Sequence, residues 1–330
     1  MQVRRILIAA LLAGAAPAFG QSAYHPAGTI SLGSPDRWDY VVADAATGRV
    51  YVAHGDRLTV VDGRAGKVVG VVAGIPGGTH GTGLDRGVGV TDDGEGAQAV
   101  VFDPATLAVL RRIKVGGDAD GIAADPSTGR VLVVDGDPGT ISIVDPVAGK
   151  LIANVGAGEA LEYPAISEGR AFIAGKEKGD VVVINPVKAT VIAHWPMPDC
   201  AKPHGLAADA VGHRVFVGCV NRKMVVLDTR DGRIVGAFPI GAGSDSLAWD
   251  PKRRRVFSAN GADGTVTVLQ QDDPDHYRAL APIETRVSGR NMAVDERTGR
   301  LFIAAGEATV AAGKRQVKPG SLALLMFDPD

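Results

Sequence analysis

A repeated phrase constrains this chain more than any other feature of its sequence. The phrase is an apolar run ending in Asp, a short turn, Gly-Arg and a second apolar run, as in Val41 to Ala53. From Arg130 onward the marker arginines lie 40 to 45 residues apart, and Arg49 lies 81 residues, or two periods, before Arg130. A degenerate copy without Gly-Arg, near Gly83 to Val90, fills the double interval. The marker arginines are Arg49, Arg130, Arg170, Arg214, Arg255 and Arg300.

Each repeat is predicted to form four short β-strands joined by tight turns. Its apolar runs are rich in Val and Ile and are bounded by Gly, Asp, Asn and Pro, whereas helical periodicity is absent. Units of about 40 residues with four strands are typical of β-propeller blades. A parallel β-helix would use shorter coils. An array of small domains would need linkers, which the sequence lacks.

The repeats predict an all-β fold, a single seven-bladed propeller spanning residues 21–330 with four antiparallel strands per blade. The last repeat ends near Phe327 without an outermost strand, and Gly28 to Leu32 precedes the first blade without a blade of its own. This N-terminal segment is predicted to pair with the strand near Leu322 to Phe327. Such pairing closes the ring and removes its open edges.

Residues 1–20 have the organisation of a secretory signal peptide. Arg4 and Arg5 precede an apolar run from Ile6 to Ala16, and small residues follow at Ala18 and Gly20. Cleavage is expected after Gly20, with Ala18 as the alternative. The run is too short for a transmembrane helix, which needs about 20 residues. The chain is therefore expected to be periplasmic or secreted, with no membrane span.

The charge of the chain argues against a nucleic-acid partner. The formal net charge is −2, which becomes −4 when Arg4 and Arg5 are removed, and no basic run stands out. A monomer is expected.

Two segments resemble the YncE-type, or YVTN, family of bacterial propeller repeats. They are TGRVYVAHGDRLTVVDGRAGKVVG, from Thr47, and GLAADAVGHRVFVGCVNRKMVVLDTRDGRIVGAFPIG, from Gly205. The resemblance extends from about Gly28 to Phe327. It implies a propeller fold and export in bacteria, but no single activity. The second blade is shorter than the family pattern, and the seventh is longer.

The first residues of the seven innermost strands form the candidate ligand site. In a propeller these strands line the central channel, and their first residues share one rim, here called the top. Four are acids, two are histidines and one is arginine: Asp39, His80, Asp120, Glu162, His204, Asp245 and Arg290. Such a ring suits a polar ligand or a divalent metal. Alternatively, these side chains are solvated, or Arg290 pairs locally with Asp39 or Asp245.

Loops joining the second and third strands are expected on the same top face. They include Lys176 to Lys178, Asn221 to Lys223, and an insertion from Glu307 to Gly320 that carries Lys314, Arg315 and Lys318. Trp38 and Tyr163 are expected near this rim. Long loops on one face often carry function, although a solvated surface loop is the alternative for the insertion.

The two cysteines, Cys200 and Cys219, are predicted to form a disulfide, since an even pair in an exported protein is usually oxidised. Pairing across the turn at Val211 and Gly212 places Cys219 opposite about His204. The alternative is a soft-metal site made by Cys200, His204 and Cys219.

No standard catalytic motif is present in the sequence. The predicted function is therefore a periplasmic binding or scaffold protein that holds a small molecule or peptide over the channel. The alternative is a propeller enzyme, such as a lactonase or lyase, that uses His80, His204, Glu162 and Arg290 at the channel mouth.

Overall fold

Each predicted repeat forms one antiparallel sheet, and the seven sheets make a seven-bladed β-propeller. The structure is a computed structural model that describes residues 22–311 and 314–330. The predicted signal peptide lies outside the described residues. Within them, no helix has the length and hydropathy needed to cross a bilayer.

In the described residues, the strands follow one another along the chain without helices between them. The first sixteen are β1 (Tyr24–Ser31), β2 (Val41–Asp44), β3 (Arg49–His54), β4 (Arg57–Asp62), β5 (Lys67–Val72), β6 (Thr82–Asp85), β7 (Val88–Asp93), β8 (Gln98–Phe102), β9 (Val109–Lys114), β10 (Ala119–Asp125), β11 (Arg130–Asp135), β12 (Thr140–Asp145), β13 (Lys150–Gly156), β14 (Leu161–Ser167), β15 (Arg170–Gly175) and β16 (Asp180–Asn185). The others are β17 (Thr190–Pro196), β18 (Pro203–Asp209), β19 (Arg214–Cys219), β20 (Lys223–Asp228), β21 (Ile234–Pro239), β22 (Ser244–Asp250), β23 (Arg255–Asn260), β24 (Thr265–Asp273), β25 (His276–Ala279), β26 (Ile283–Glu284), β27 (Asn291–Val294), β28 (Leu301–Ala305), β29 (Ala308–Ala311), β30 (Lys314–Val317) and β31 (Ala323–Pro329).

The N-terminal strand closes the ring, as predicted. Blades 1 to 5 are the consecutive sets β2–β5, β6–β9, β10–β13, β14–β17 and β18–β21. Blade 6 is β22–β25, with β26 pairing onto β24. Blade 7 has the order β27, β28, β31, β1, and Ile30 lies opposite Leu324. The first three strands of blade 7 thus come from one end of the chain and its outermost strand from the other.

The core lies between the blades, because the middle strands of each sheet are apolar on both faces. Val131 to Val134 of β11 are fully buried, whereas Leu151 and Ile152 of the outermost strand β13 are exposed. Neighbouring blades interlock through large side chains. The rings of Tyr51 in blade 1 and Phe102 in blade 2 lie 6.0 Å apart.

The marker arginines join neighbouring blades at the bottom of the propeller. Arg130 at the start of β11 donates to the Pro186 carbonyl of blade 4 at 2.7 Å. Arg300 of blade 7 donates to the Gly63 carbonyl of blade 1 at 2.8 Å. In each case a guanidinium reaches the turn between the third and fourth strands of the next blade. The repeated arginine thus links adjacent blades.

The insertion in blade 7 was predicted as a loop, but it contains a β-hairpin formed by β29 and β30. It leaves blade 7 after β28, between the second and third strands of that blade. The backbone amides of Gly320 and Ser321 donate to the Asp36 carboxylate at 2.7 and 3.2 Å. These bonds attach the base of the insertion to the segment that enters blade 1.

Candidate functional site

The predicted ring residues meet around the mouth of the channel. Each lies within two residues of the start of an innermost strand. Contacts between neighbouring blades connect them: Arg290 Nε lies 3.1 Å from Asp245 Oδ2, and His204 Nε2 lies 3.7 Å from Glu162 Oε1. The Asn291 amide donates to both Asp39 and Asp245, each at 3.3 Å. The local pairing of Arg290 with Asp245, one of the two predicted partners, is present.

Two tyrosines cross the channel directly below the ring. Tyr40 and Tyr163 each follow a ring acid by one residue, so they lie about 3.3 Å deeper along their strands. Their ring centroids are 4.3 Å apart, although they come from blades 1 and 4 on opposite sides of the propeller. Burial raises the pKa of Tyr163 to about 12, so its phenol is neutral at physiological pH. The tyrosines form a floor, and the ring above them is a shallow cup.

Three carboxylates around the cup have cationic partners. Asp245 pairs with Arg290, and Glu162 forms an ion pair with Lys176 from the turn between β15 and β16. Asp92 is buried near the top end of β7, and its carboxylate lies 2.7 Å from His80 Nδ1. The charges at these three positions are therefore largely compensated.

Asp39 and Asp120 have no ion-pair partner among the described residues. Oδ1 of Asp120 is buried without a hydrogen-bond partner there, and Asp39 receives only the long bond from Asn291. Burial and the nearby charge of Asp245 raise the pKa of Asp39 to about 7, against the opposing effect of Arg290. Burial and the charge of Asp39 raise the pKa of Asp120 well above its usual range. These two carboxyls are the uncompensated part of the cup.

His80, near these two carboxyls, is held as a cation by Asp92. Burial disfavours its charged form, but the hydrogen bond and charge of Asp92, together with Asp120 and Asp39, raise the pKa of His80 to about 9. Asp92 also accepts the backbone amides of His80 and Gly81, each at 2.8 Å. Arg37 Nη2 lies 3.5 Å from the other ring nitrogen, Nε2.

A basic cleft continues from the cup across blades 4 and 5. It has a volume of about 600 Å³ and is lined by three lysines and two acids: Lys176, Lys178, Lys202, Asp137 and Glu177. Lys176 belongs to both regions, because it pairs with Glu162 of the ring. An acidic cup and a basic cleft therefore adjoin on one face.

The predicted disulfide between Cys200 and Cys219 is present, and its Cys200 lines this cleft. One detail of the prediction is wrong: Cys219 lies opposite Pro203 rather than His204. The ladder is irregular between Pro203 and Leu206, and this bulge moves the register by one residue. Because both thiols are consumed in the bond, the alternative Cys200, His204 and Cys219 metal site is not formed.

Sequence reasoning missed several side chains of the cup. Asp92, Arg37, Tyr40 and Asn291 were outside the predicted ring, although each is next to it in the strands or the incoming segments.

No three ring residues bring possible metal-ligand atoms within 4.8 Å of one another in the described part of the chain. A metal at the ring stays a prediction.

Comparison with known proteins bears on the fold alone. No family model and no curated protein matches the sequence. The chain is similar in structure to a chain of Kuenenia stuttgartiensis hydrazine synthase, with a TM-score of 0.71, 14% identity, and coverage of 86% of this chain and 95% of that one. It is similar to U3-55K, with a TM-score of 0.77, 11% identity and coverage of 90% and 97%. It is also similar to the RRP9 WD40 repeats, with a TM-score of 0.75, 10% identity and coverage of 89% and 95%. At these identities the chain is shown to be a propeller, and nothing about its activity follows.

Proposed function

We propose that this chain is an exported, monomeric binding protein of the YncE type that holds a small ammonium-bearing ligand in the cup at the top of its channel. The observation that carries the proposal is the pair of uncompensated carboxyls, Asp39 and Asp120, above the tyrosine floor. A free amine or the N terminus of a short peptide has the matching chemistry. Nucleic acid is not expected as a partner, since the cup is acidic.

An ammonium group satisfies several needs of this cup at once. It has three donors, which can serve Asp39, Asp120 and one further acceptor. Its charge favours ionisation of both carboxyls, whose pKa values are raised by burial and mutual repulsion. The face of a tyrosine below adds cation–π attraction.

The basic cleft supports a ligand with an acidic group at its other end. Lys178 and Lys202 lie on the side of the ring where Lys176 contacts Glu162. A zwitterion such as an amino acid or short peptide would place its ammonium group in the cup and its carboxylate toward these lysines. The asymmetry of the ring would then fix one orientation.

Export is the other part of the proposal. The signal-peptide pattern of residues 1–20 and a disulfide both fit an oxidising compartment. Expression of the full chain in a bacterial host should yield a periplasmic protein that begins at Gln21. A cytoplasmic protein that retains residues 1–20 would contradict export.

One observation favours the enzyme alternative, namely the pairing of His80 with buried Asp92. Histidine oriented by a carboxylate is common in general acid–base catalysis. However, a pKa of about 9 leaves His80 protonated at neutral pH, so it is a poor general base. A charged His80 is better suited to pair with the nearby carboxylates than to accept a proton. Binding is therefore the stronger proposal.

Calorimetric titration with free amino acids and dipeptides tests the binding proposal. The wild-type protein should bind at least one of them, and its N-acetylated counterpart, which lacks the ammonium charge, should bind at least about tenfold weaker, a difference of about 1.4 kcal/mol. The Asp39→Asn/Asp120→Asn double variant should lose binding. Asp85→Asn, at the bottom of blade 2, is the matched control and should bind as the wild type does.

Equal affinity for the acetylated ligand, or retained binding by the double variant, would refute the ammonium site. Turnover of lactone substrates that is lost in His80→Gln would support the enzyme alternative instead.

A further inference from the structure

A second cluster of charged side chains lies on blade 4, away from the channel. It consists of Glu159 from the loop before β14, Asp180 at the start of β16 and His194 in the outermost strand β17. Each offers one possible metal-ligand atom, and these atoms all lie within 4.8 Å of one another. Glu159 and Asp180 are only 6% and 4% exposed, whereas the His194 side chain is 36% exposed. The cluster is therefore buried on its acidic side and open on its imidazole side.

Each buried carboxylate is only half satisfied by the protein: Glu159 Oε2 accepts the Lys178 backbone amide at 2.9 Å, and Asp180 Oδ2 lies 2.8 Å from His194 Nδ1. Oε1 of Glu159 and Oδ1 of Asp180 have no hydrogen-bond partner among the described residues. The nearest cation to Glu159 Oε1 is the half-exposed Lys178 ammonium, 3.6 Å away. An unpaired buried carboxylate is costly, and proteins usually pair such groups or bind metals with them. Two carboxylates side by side therefore call for a cation.

The equivalent place in blade 3 shows what a purely structural arrangement looks like. There Asp135 Oδ2 accepts hydrogen bonds from Thr140, Ser142 and Asn154 at 2.6, 2.9 and 2.9 Å. Three neutral donors thus satisfy one oxygen of a single carboxylate, while its Oδ1 has no hydrogen-bond partner among the described residues. At the same place in blade 6 the residues are Asn260, Thr265 and Thr267, which hydrogen-bond to one another.

Blade 4 replaces those neutral donors with metal-ligand types. Asp180 takes the position of Thr140 as the first residue of the third strand, and His194 takes that of Asn154 in the fourth. The place of Asp135 is taken by Gly175. A Cβ at Gly175 would lie 2.0 Å from Asp180 Oδ1 and 2.9 Å from Glu159 Cδ, so the cluster requires glycine there. The substitutions together create a space lined by two acids and an imidazole.

The geometry points to a divalent metal site formed by Glu159, Asp180 and His194, with zinc as the preferred ion. Ligand atoms about 2.1 Å from a tetrahedral zinc lie about 3.4 Å from one another. His194 Nδ1 lies 2.8 Å from Asp180 Oδ2 and 3.8 Å from Glu159 Oε1, and the two carboxylates offer ligand atoms within 4.8 Å of each other, so side-chain shifts on the order of 1 Å would reach that spacing. Three protein ligands leave a fourth position toward solvent, next to His194. Imidazole favours zinc over calcium, which prefers oxygen.

Zinc titration of the mature, disulfide-bonded protein tests this site. The wild type should bind zinc more tightly than manganese or calcium and should show a higher thermal midpoint in its presence. The Asp180→Thr/His194→Asn double variant, which imports the residues of blade 3, should lose one equivalent of zinc. Its thermal midpoint without metal should stay at or above that of the wild type, because the uncompensated charge is removed.

His276→Asn is the matched control, since it removes another histidine that pairs with an aspartate, but at an exposed position of blade 6. It should bind zinc as the wild type does. Absence of zinc binding by the wild type, or an unchanged zinc stoichiometry and affinity in the double variant, would overturn the assignment. If only the ring histidines held zinc, the double variant would bind zinc as the wild type does. That result would also overturn the assignment.

Discussion

The two rims of this propeller are built from the same strands but differ in how their charges are balanced. At the bottom, Arg214 is 2% exposed and contacts three partners: Asp228 at 3.1 Å, Asp275 at 2.6 Å and the Pro274 carbonyl at 2.8 Å. At the top, Asp39 and Asp120 form no ion pair among the described residues, and the nearby His80 cation is paired with Asp92. The bottom rim pairs its most deeply buried guanidinium, whereas the top rim retains two carboxyls whose ionisation a cationic ligand would favour.

The repeat itself explains part of this difference. Bottom-rim residues recur in most blades because each Asp and Arg performs the same task, closing a turn or reaching the next blade. Asp125, for example, accepts the backbone amide of Ser127 at 3.0 Å. Top-rim residues change type from blade to blade, since no shared structural task selects them. Repetition in this molecule therefore marks structure, and departure from repetition marks candidate function.

The largest effect is expected at the bottom rim. Arg214→Ala should lower the free energy of unfolding by about 3–5 kcal/mol, because truncation of this buried side chain leaves a cavity and removes its hydrogen bond to the Pro274 carbonyl, a link from blade 5 to blade 6. Urea unfolding measures the loss. Arg230→Ala is the control: Arg230 pairs with the same Asp228 but is 61% exposed, so its loss should be much smaller. Equal losses would show that burial of the guanidinium is unimportant.

The disulfide beside the cup should have the next largest effect. The Cys200→Ala/Cys219→Ala variant should be less stable by about 3 kcal/mol, since the bond closes a short loop in the unfolded chain. Reduced wild-type protein should lose a similar amount in urea unfolding. The variant itself should not respond to reductant. If reduction leaves the wild type unchanged, the bond contributes nothing to stability.

The smallest predicted effects are changes in thermal midpoint when one aspartate is neutralised. These changes have opposite signs at the two rims. Asp120 has a raised pKa in the folded state, so the folded protein binds more protons than the unfolded one, and stability falls as pH rises above the ordinary carboxyl range. Asp120→Asn should therefore raise the thermal midpoint at pH 8, by roughly 1–2 °C per kcal/mol relieved, and have little effect near pH 4.

Asp228 at the bottom rim provides the reverse case. Hydrogen bonds from Arg230, with the nearby Arg214 charge, hold the pKa of Asp228 well below its usual range. Its contribution to stability is present above the ordinary carboxyl range and is lost as pH falls through the folded value. Asp228→Asn should therefore lower the thermal midpoint at pH 7 and have less effect near pH 2. The same sign for both variants would mean that the rims do not differ electrostatically.

Much of the fold could be predicted from the sequence because local signals recur in every repeat. The marker arginines, the turn residues and the unpaired segment at Gly28 to Leu32 were enough to predict the blades and their closure. The composition of the cup was partly predictable, since a strand's first residue can be read from the repeat. Contacts across the axis were not, because the approach of Tyr40 to Tyr163 depends on the diameter of the ring.

The blade 4 cluster was missed for another reason. Asp180 and His194 are conspicuous only when they are aligned with Thr140 and Asn154 of blade 3, and Glu159 lies in a loop whose direction the sequence does not specify. A residue-by-residue comparison of the third and fourth strands would have found the first two. Only the folded arrangement brings Glu159 to them.

The titration of Asp39 tests the central claim most directly. Carbon-13 NMR of the side-chain carboxyl groups, with Asp39 assigned by its loss in Asp39→Asn, reports the pKa of this residue. The account predicts a midpoint of about 7 in the free protein, because burial and Asp245 disfavour the carboxylate. The midpoint should fall when an ammonium ligand binds. A midpoint near 4 in the free protein would show that Asp39 is solvated or already paired. It would contradict the claim that this top-rim carboxyl has no compensating cation until a ligand binds.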